Sequence, residues 1–105
     1  MACDFDAATS TLYVSGSADE HEADRLRVAI ADASGHYTQS LTIDLSRCDF
    51  LPSIGIGVIA GAMHEARVQG AEIDVVVAPH TIAERVLSIT GIPHTLTSHD
   101  VAPAD

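Results

Sequence analysis

IDLSRCDFLPSIGIGVI, residues 43–59, starts as a strand and finishes as a helix, with a proline in between. Leu41, Ile43 and Leu45 alternate with Thr42 and Asp44, which predicts a half-buried strand over 41–45. The polar residues that follow predict a connecting loop from Ser46 to Leu51, closed by Pro52-Ser53. From about Ile54 to Gln69, Ile59, Ala62, Met63 and Ala66 recur at helical spacing, and Gly70 stands where a C-cap glycine is expected. Strand, loop and helix make half of a β-α-β unit, and the rest of the chain decides whether the unit repeats.

It repeats on both sides. Upstream, Thr11 to Ser15 alternates as a strand that Gly16 ends, and Phe5 belongs to a candidate strand before it. A helix then runs to about Ala33, with Ala23, Leu26, Ala29, Ile30 and Ala33 as its apolar stripe. Asp19 with Glu22, or Ser17 with Glu20, would box its N-terminus, and Ser34-Gly35 stops it. Downstream, Glu72 to Val77 is a strand whose continuous Val75-Val76-Val77 predicts cover on both faces. Pro79 is placed at a helix N1 position, Thr81 and Glu84 form a capping box, and Ile82, Val86 and Leu87 lead to Gly91. Thr95 to Thr97 is a candidate last strand, and residues 98–105 read as a frayed tail. The order implies one α/β domain over 1–97: a mixed, mainly parallel sheet of four or five strands with three helices joined by right-handed crossovers.

Composition narrows the function. A chain of 105 residues, 47% hydrophobic, supports one compact domain and no more. Fifteen Asp and Glu face five Arg and no Lys, a net charge of −10. Such a surface repels phosphates, so nucleic acid and anionic membrane are poor partners and no nucleic acid or membrane insertion is expected, while a basic protein surface would be steered onto it. No apolar run reaches the ~20 residues of a membrane span. The start of the chain has neither basic residues nor an apolar stretch, so no secretory signal and a cytoplasmic location are expected. Cys3 and Cys48 form no C-x-x-C motif and read as reduced thiols. No two of the six histidines fall at i, i+3 or i, i+4, so no metal is expected.

Gly55-Ile56-Gly57-Val58-Ile59-Ala60 formally matches the dinucleotide fingerprint G-x-G-x-x-[GA]. The fingerprint needs its first glycine directly after a strand, whereas the strand over 41–45 ends some ten residues earlier. A small nucleotide-dependent enzyme is therefore the weakest of the function classes. Gly57 and Gly61 are expected instead to let the helix pack closely on its neighbours. No acid/base pair or nucleophile set stands out, so no catalysis and no cofactor are expected.

Three separated motifs carry a resemblance. Val14-Ser15-Gly16-Ser17-Ala18-Asp19, the segment from Ile43 to Ile59, and Pro79-His80-Thr81-Ile82-Ala83-Glu84-Arg85-Val86-Leu87-Ser88-Ile89-Thr90-Gly91-Ile92 follow in order the pattern of STAS domains. The chain resembles the bacterial anti-sigma factor antagonists of that family over about residues 10–97. The resemblance implies a protein-binding module that sequesters an anti-sigma factor, an ATPase-fold kinase. In the family that kinase phosphorylates a Ser or Thr at the start of the second helix and breaks the complex. The residues that the resemblance places at the partner surface are Asp19, Pro52, Ser53, Ile54 and Gly55.

The chain departs from the pattern where the switch should be. The family's D-S-[ST]-G becomes Pro52-Ser53-Ile54-Gly55. Ile54 occupies the phosphoacceptor position and has no hydroxyl. Ser53 is a second candidate acceptor, ranked below a plain helix N-cap; Asp19 carries the same N-cap alternative, and Asp44 reads as a structural tie for the loop after it. His21 and His80 lie near helix starts, with nothing that singles them out. A lost or moved switch gives weight to a second class: a non-phosphorylated STAS subunit of a stress-signalling scaffold or a lipid-transport complex. No motif fixes the oligomeric state.

Overall fold

The computed structural model describes residues 1–96; Thr97 and the tail expected over 98–105 lie outside them. The elements are β1 (Ala2–Asp6), β2 (Thr11–Ser17), α1 (Ala23–Ala33), β3 (Leu41–Phe50), α2 (Ser53–Val68), β4 (Ile73–Val77), α3 (Ile82–Thr90) and β5 (Thr95–Leu96). The five strands form one sheet in the order β1-β2-β3-β4-β5, with β1 antiparallel to β2 and every other pair parallel.

This order dictates where the helices go. Each step from β2 to β5 moves one place in the same direction, and right-handed crossovers then put all three helices on one face of the sheet. Burial follows suit. Leu12 and Val14, Leu41, Ile43 and Leu45, and Ile73, Val75 and Val77 turn inward, against Leu26 and Ile30 of α1, Ile59, Ala62 and Ala66 of α2, and Ala83 and Leu87 of α3. Their alternates Tyr13, Thr42, Asp44, Asp74 and Val76 lie on the other, uncovered face. The expectation that Val75-Val76-Val77 is covered on both faces is therefore corrected: Val76 is only half-buried, because no layer crosses behind it.

The largest departure concerns residues 46–50, expected as loop. They extend β3 to Phe50 and pair with β2 through Ser15↔Arg47, Gly16↔Cys48 and Ser17↔Phe50. Arg47 and Asp49 are tolerated there because solvent bathes the uncovered face and the strand's end, while Cys48 turns inward and is buried. The strand bends at a register shift, where Asp44 Oδ1 accepts from the Ser46 N–H at 2.8 Å. β2 correspondingly runs through Gly16, whose φ of +81° suits the bend, instead of ending there.

Helix ends also differ from expectation. α1 starts at Ala23 with Glu22 as N-cap and no capping side chain, so neither Asp19 nor Ser17 boxes it. Asp19 instead makes a turn, its Oδ1 accepting from the His21 N–H and its carbonyl from the Glu22 N–H, both at 3.0 Å. α2 is capped by Pro52, so Ser53 is the first helical residue and not the N-cap. At α3, Thr81 caps the Glu84 N–H at 3.2 Å, while Glu84 Oε1 accepts from the His80 N–H at 2.8 Å; Pro79 precedes the cap and is not N1.

The glycines of α2 divide in an unexpected way. Gly57 and Gly61 are exposed, with open space where a side chain would stand, so they mediate no close packing. Gly55 does: a Cβ there would lie 2.9 Å from the Ala18 carbonyl oxygen and 3.1 Å from Leu51 Cδ1. Gly61→Ala should therefore stabilise the fold by about 0.5–1 kcal/mol, the helix-propensity difference alone. Gly55→Ala should destabilise it by about 1–3 kcal/mol, because backbone must move to admit the methyl. Urea unfolding of both variants checks the opposite signs.

Candidate functional site

Parallel strands with crossover helices bring the C-terminal ends of β2, β3 and β4 and the N-terminal ends of α1, α2 and α3 to one rim of the domain. Two contacts lock the middle of this rim. The Ala18 N–H donates to the Phe50 carbonyl at 3.0 Å, carrying the β2–β3 pairing one residue past the end of β2. Gly55 then seats the first turn of α2 on Ala18 itself. Asp19, next along the chain, is thus held beside the start of α2.

The expected site residues take different positions on this rim. Ser53 and Ile54 are exposed, Ile54 at 47%. Asp19 and Pro52 are half-buried. Gly55 is buried, so its part is to seat the helix, not to present a contact. Pro52 has no side-chain acceptor to offer, and no side chain caps the first-turn N–H groups of α2. The Ile56 N–H is the first that bonds within the helix, to the Pro52 carbonyl at 3.1 Å.

Two residues on the rim escaped the sequence reading. Phe50, 48% exposed, ends β3 beside the α2 start, and Ile82, 55% exposed, opens α3. Phe50 falls within the stretch expected as loop, where one aromatic carries no pattern; Ile82 reads in the sequence as one of the apolar residues of the third helix. A shallow groove continues from Ile54 along α2, bounded by Val58, Gly61 and Glu65 of that helix, by Arg27 of α1 and by Tyr37. Its floor is low because Gly57 and Gly61 carry no side chains.

The chemistry offered is adhesive. Burial pushes both the Cys48 and the Cys3 thiols up, the opposite of what a nucleophilic thiolate needs. The glycines of the formal dinucleotide match lie inside α2, not in the turn after a strand. β3 ends at Phe50, closer to these glycines than the strand expected over 41–45, but Leu51, Pro52 and the start of α2 still separate it from Gly55. Among the described residues no three His, Cys, Asp or Glu side chains converge as metal ligands, and no helix is long and apolar enough to cross a membrane.

A sheet wound in one direction, three helices on one face and a rim built around a helix start define the STAS fold. The family model described as "Mlab, STAS domain" matches residues 1–98, and the chain belongs to that family. Among solved structures, the anti-sigma factor antagonist SpoIIAA in its unphosphorylated form superposes with a TM-score of 0.75 at 19% identity, covering 96% of this chain and 92% of that one. A Thermotoga maritima protein assigned as an anti-sigma factor antagonist gives 0.69 at 18% identity, covering 91% and 85%. At these identities the two structures share the fold.

The Cys48 thiol sets a pH dependence. Its folded-state pKa is raised above 9.0 by burial, so the folded state holds its proton longer than the unfolded chain does. The stability tied to that proton is intact below the unfolded pKa and is lost as pH climbs through the folded one. Between roughly pH 8 and pH 10, wild type should lose stability relative to Cys48→Ala, as read by denaturant midpoints of the two proteins across that range.

Proposed function

We propose that this chain is a non-catalytic protein-binding module of the anti-sigma factor antagonist type, which sequesters an anti-sigma factor of the ATPase-fold kinase class. The contact is the rim bearing Asp19, Pro52, Ser53 and Ile54, held in place by Gly55. Support comes above all from Ile54. Ile54, on the first turn of its helix, shares the rim with Phe50 and Ile82, each about half exposed, and several large apolar side chains on one rim are a surface that a protein partner can cover. Ile54 stands where the family resemblance implies the phosphoacceptor hydroxyl. The complex is therefore constitutive, or governed by abundance or by a third component, and is not broken by phosphorylation at the usual place.

Binding should respond to single changes on the rim. Ile54→Asp should lower affinity on the order of 10- to 100-fold, as loss of an apolar anchor does. Asp19→Ala and Ser53→Glu should each weaken binding without unfolding the domain; a carboxylate in the first turn of α2 favours the helix, so a loss with Ser53→Glu reports the contact. Affinity should fall as salt rises, since a chain of net charge −10 is drawn to a basic surface. Titration calorimetry against the anti-sigma factor reads all four effects. Unchanged affinity in all three variants would sink the assignment of this surface.

The switch has its own test. Wild type, Ser53→Ala and Ile54→Ser are incubated with the kinase and ATP and weighed intact. A gain of about 80 Da, one phosphate, is expected only in Ile54→Ser. The same gain in wild type, abolished by Ser53→Ala, would show that the acceptor has moved by one residue.

A second reading is favoured by the family description and by the missing hydroxyl together: a non-phosphorylated STAS subunit of a lipid-transport complex or a stress-signalling scaffold. The rim would then dock onto an assembly subunit in place of an anti-sigma factor. Affinity capture with the wild-type chain and with Ile54→Asp, identified by mass spectrometry, separates the two by which protein depends on Ile54.

A further inference from the structure

The thiol of Cys48 takes no part in the adhesive chemistry of the rim, yet it lies where the rim is fixed. Cys48 is 4% exposed and belongs to the core together with Ala18 and Leu51, the two residues on which Gly55 seats. The β2–β3 register slips just past it, from Gly16↔Cys48 to Ser17↔Phe50, so Asp49 is an extra residue in β3. The ladder is thus interrupted one residue before the point where β3 must hold its end still.

Two donors converge on the far side of that interruption. The Phe50 carbonyl accepts from the Ala18 N–H at 3.0 Å and from the Cys48 thiol at 3.4 Å. A carbonyl oxygen has two lone pairs, and here each has a donor. The sulfur reaches both ends of the Ala18–Phe50 bond: burial pushes the Cys48 thiol up, and hydrogen bonds from the Phe50 and Ala18 backbone pull partly against that rise. A hydrocarbon side chain at 48 would fill similar space and leave the Phe50 oxygen with a single donor across a bulge.

We infer that Cys48 is a positioning residue for the rim: its thiol pins the Phe50 carbonyl, the pinned carbonyl holds Ala18, and Ala18 sets where α2 begins and so where Ser53 and Ile54 face outward. The inference rests on the proposed function for the use of this rim by a partner, and not for its geometry. A cysteine kept only as a small core filler would act through volume, and the two roles respond oppositely to one pair of substitutions. Threonine and valine have the same shape, and only threonine keeps a donor. A filler favours valine, because a hydroxyl is costly in an apolar core. A positioning donor favours threonine.

Amide hydrogen exchange on the full chain, read residue by residue, tests this without a partner. The amides to follow are Ala18 and Ile56, whose N–H groups bond to Phe50 and to Pro52. In Cys48→Val both should exchange about 3- to 10-fold faster than in Cys48→Thr, each referred to the global unfolding of its own variant; the factor is that of one modest buried hydrogen bond. Cys48→Ala and Cys48→Ser, a smaller pair that again differs by one hydroxyl, repeat the comparison where branching at 48 prevents folding. Titration calorimetry against the anti-sigma factor should then show weaker binding, by a similar factor, for the variant that lacks the donor. Equal exchange within both pairs, or faster exchange in the hydroxyl variants, overturns the inference. Faster exchange in Cys48→Val with equal affinity of the two variants, while Ile54→Asp still weakens binding, overturns the positioning of the contact and leaves the proposed function standing. A wild-type chain that binds no anti-sigma factor overturns the proposed function, and the exchange difference by itself then supports the placement of α2 by Cys48.

Discussion

The continuation of β2–β3 pairing beyond the regular part of both strands is the constraint on which the rest depends. Once Gly16 bends β2 to stay alongside Cys48, the Ala18 N–H reaches the Phe50 carbonyl. That bond leaves only Leu51 and Pro52 between the end of β3 and the start of α2. The helix must therefore begin directly over Ala18, and only a residue without a side chain fits there. Gly55 satisfies that demand, and Ser53 and Ile54, one step earlier, are thrown outward. Orientation of the site is thus a by-product of sheet pairing.

The alternation of β2, the core of β3 and the apolar stripes of α1 and α2 were legible in the sequence because one face of each is buried, and period follows burial; in α3 only Leu87 of the expected residues is fully buried, beside Ala83. Legibility failed wherever a residue type had two physical reasons to be present. Arg47 and Asp49 look like loop, yet an uncovered sheet face accepts them as readily. Val75-Val76-Val77 looks like a doubly covered strand, yet β-branched residues also suit a half-exposed one. Ser17, Asp19 and Ser53 are all good N-caps by type, and none caps a helix, because the caps follow from where the strands release the chain. Thr81 caps as expected, its signal reinforced by Glu84 from the other side.

At the site itself, the sequence located the segment but not its division of labour. Asp19 and the stretch from Pro52 to Gly55 do share one rim, and their separation in the chain is bridged by the Ala18–Phe50 bond, which no pattern announces. Gly55 moved from contact residue to seat, since burial cannot be read from a lone glycine. Phe50 and Ile82 entered because exposure of a large apolar side chain is visible only in three dimensions.

Winding in a single direction has a consequence for how the chain comes together. Each parallel strand lies beside its neighbour in sequence, so no pairing waits on the far end of the polypeptide and the entropy of loop closure stays small at every step. By the same measure the β1–β2 hairpin, which has the shortest connection in the sheet, is the least costly pairing to close, and each parallel pair costs no more than one helical crossover.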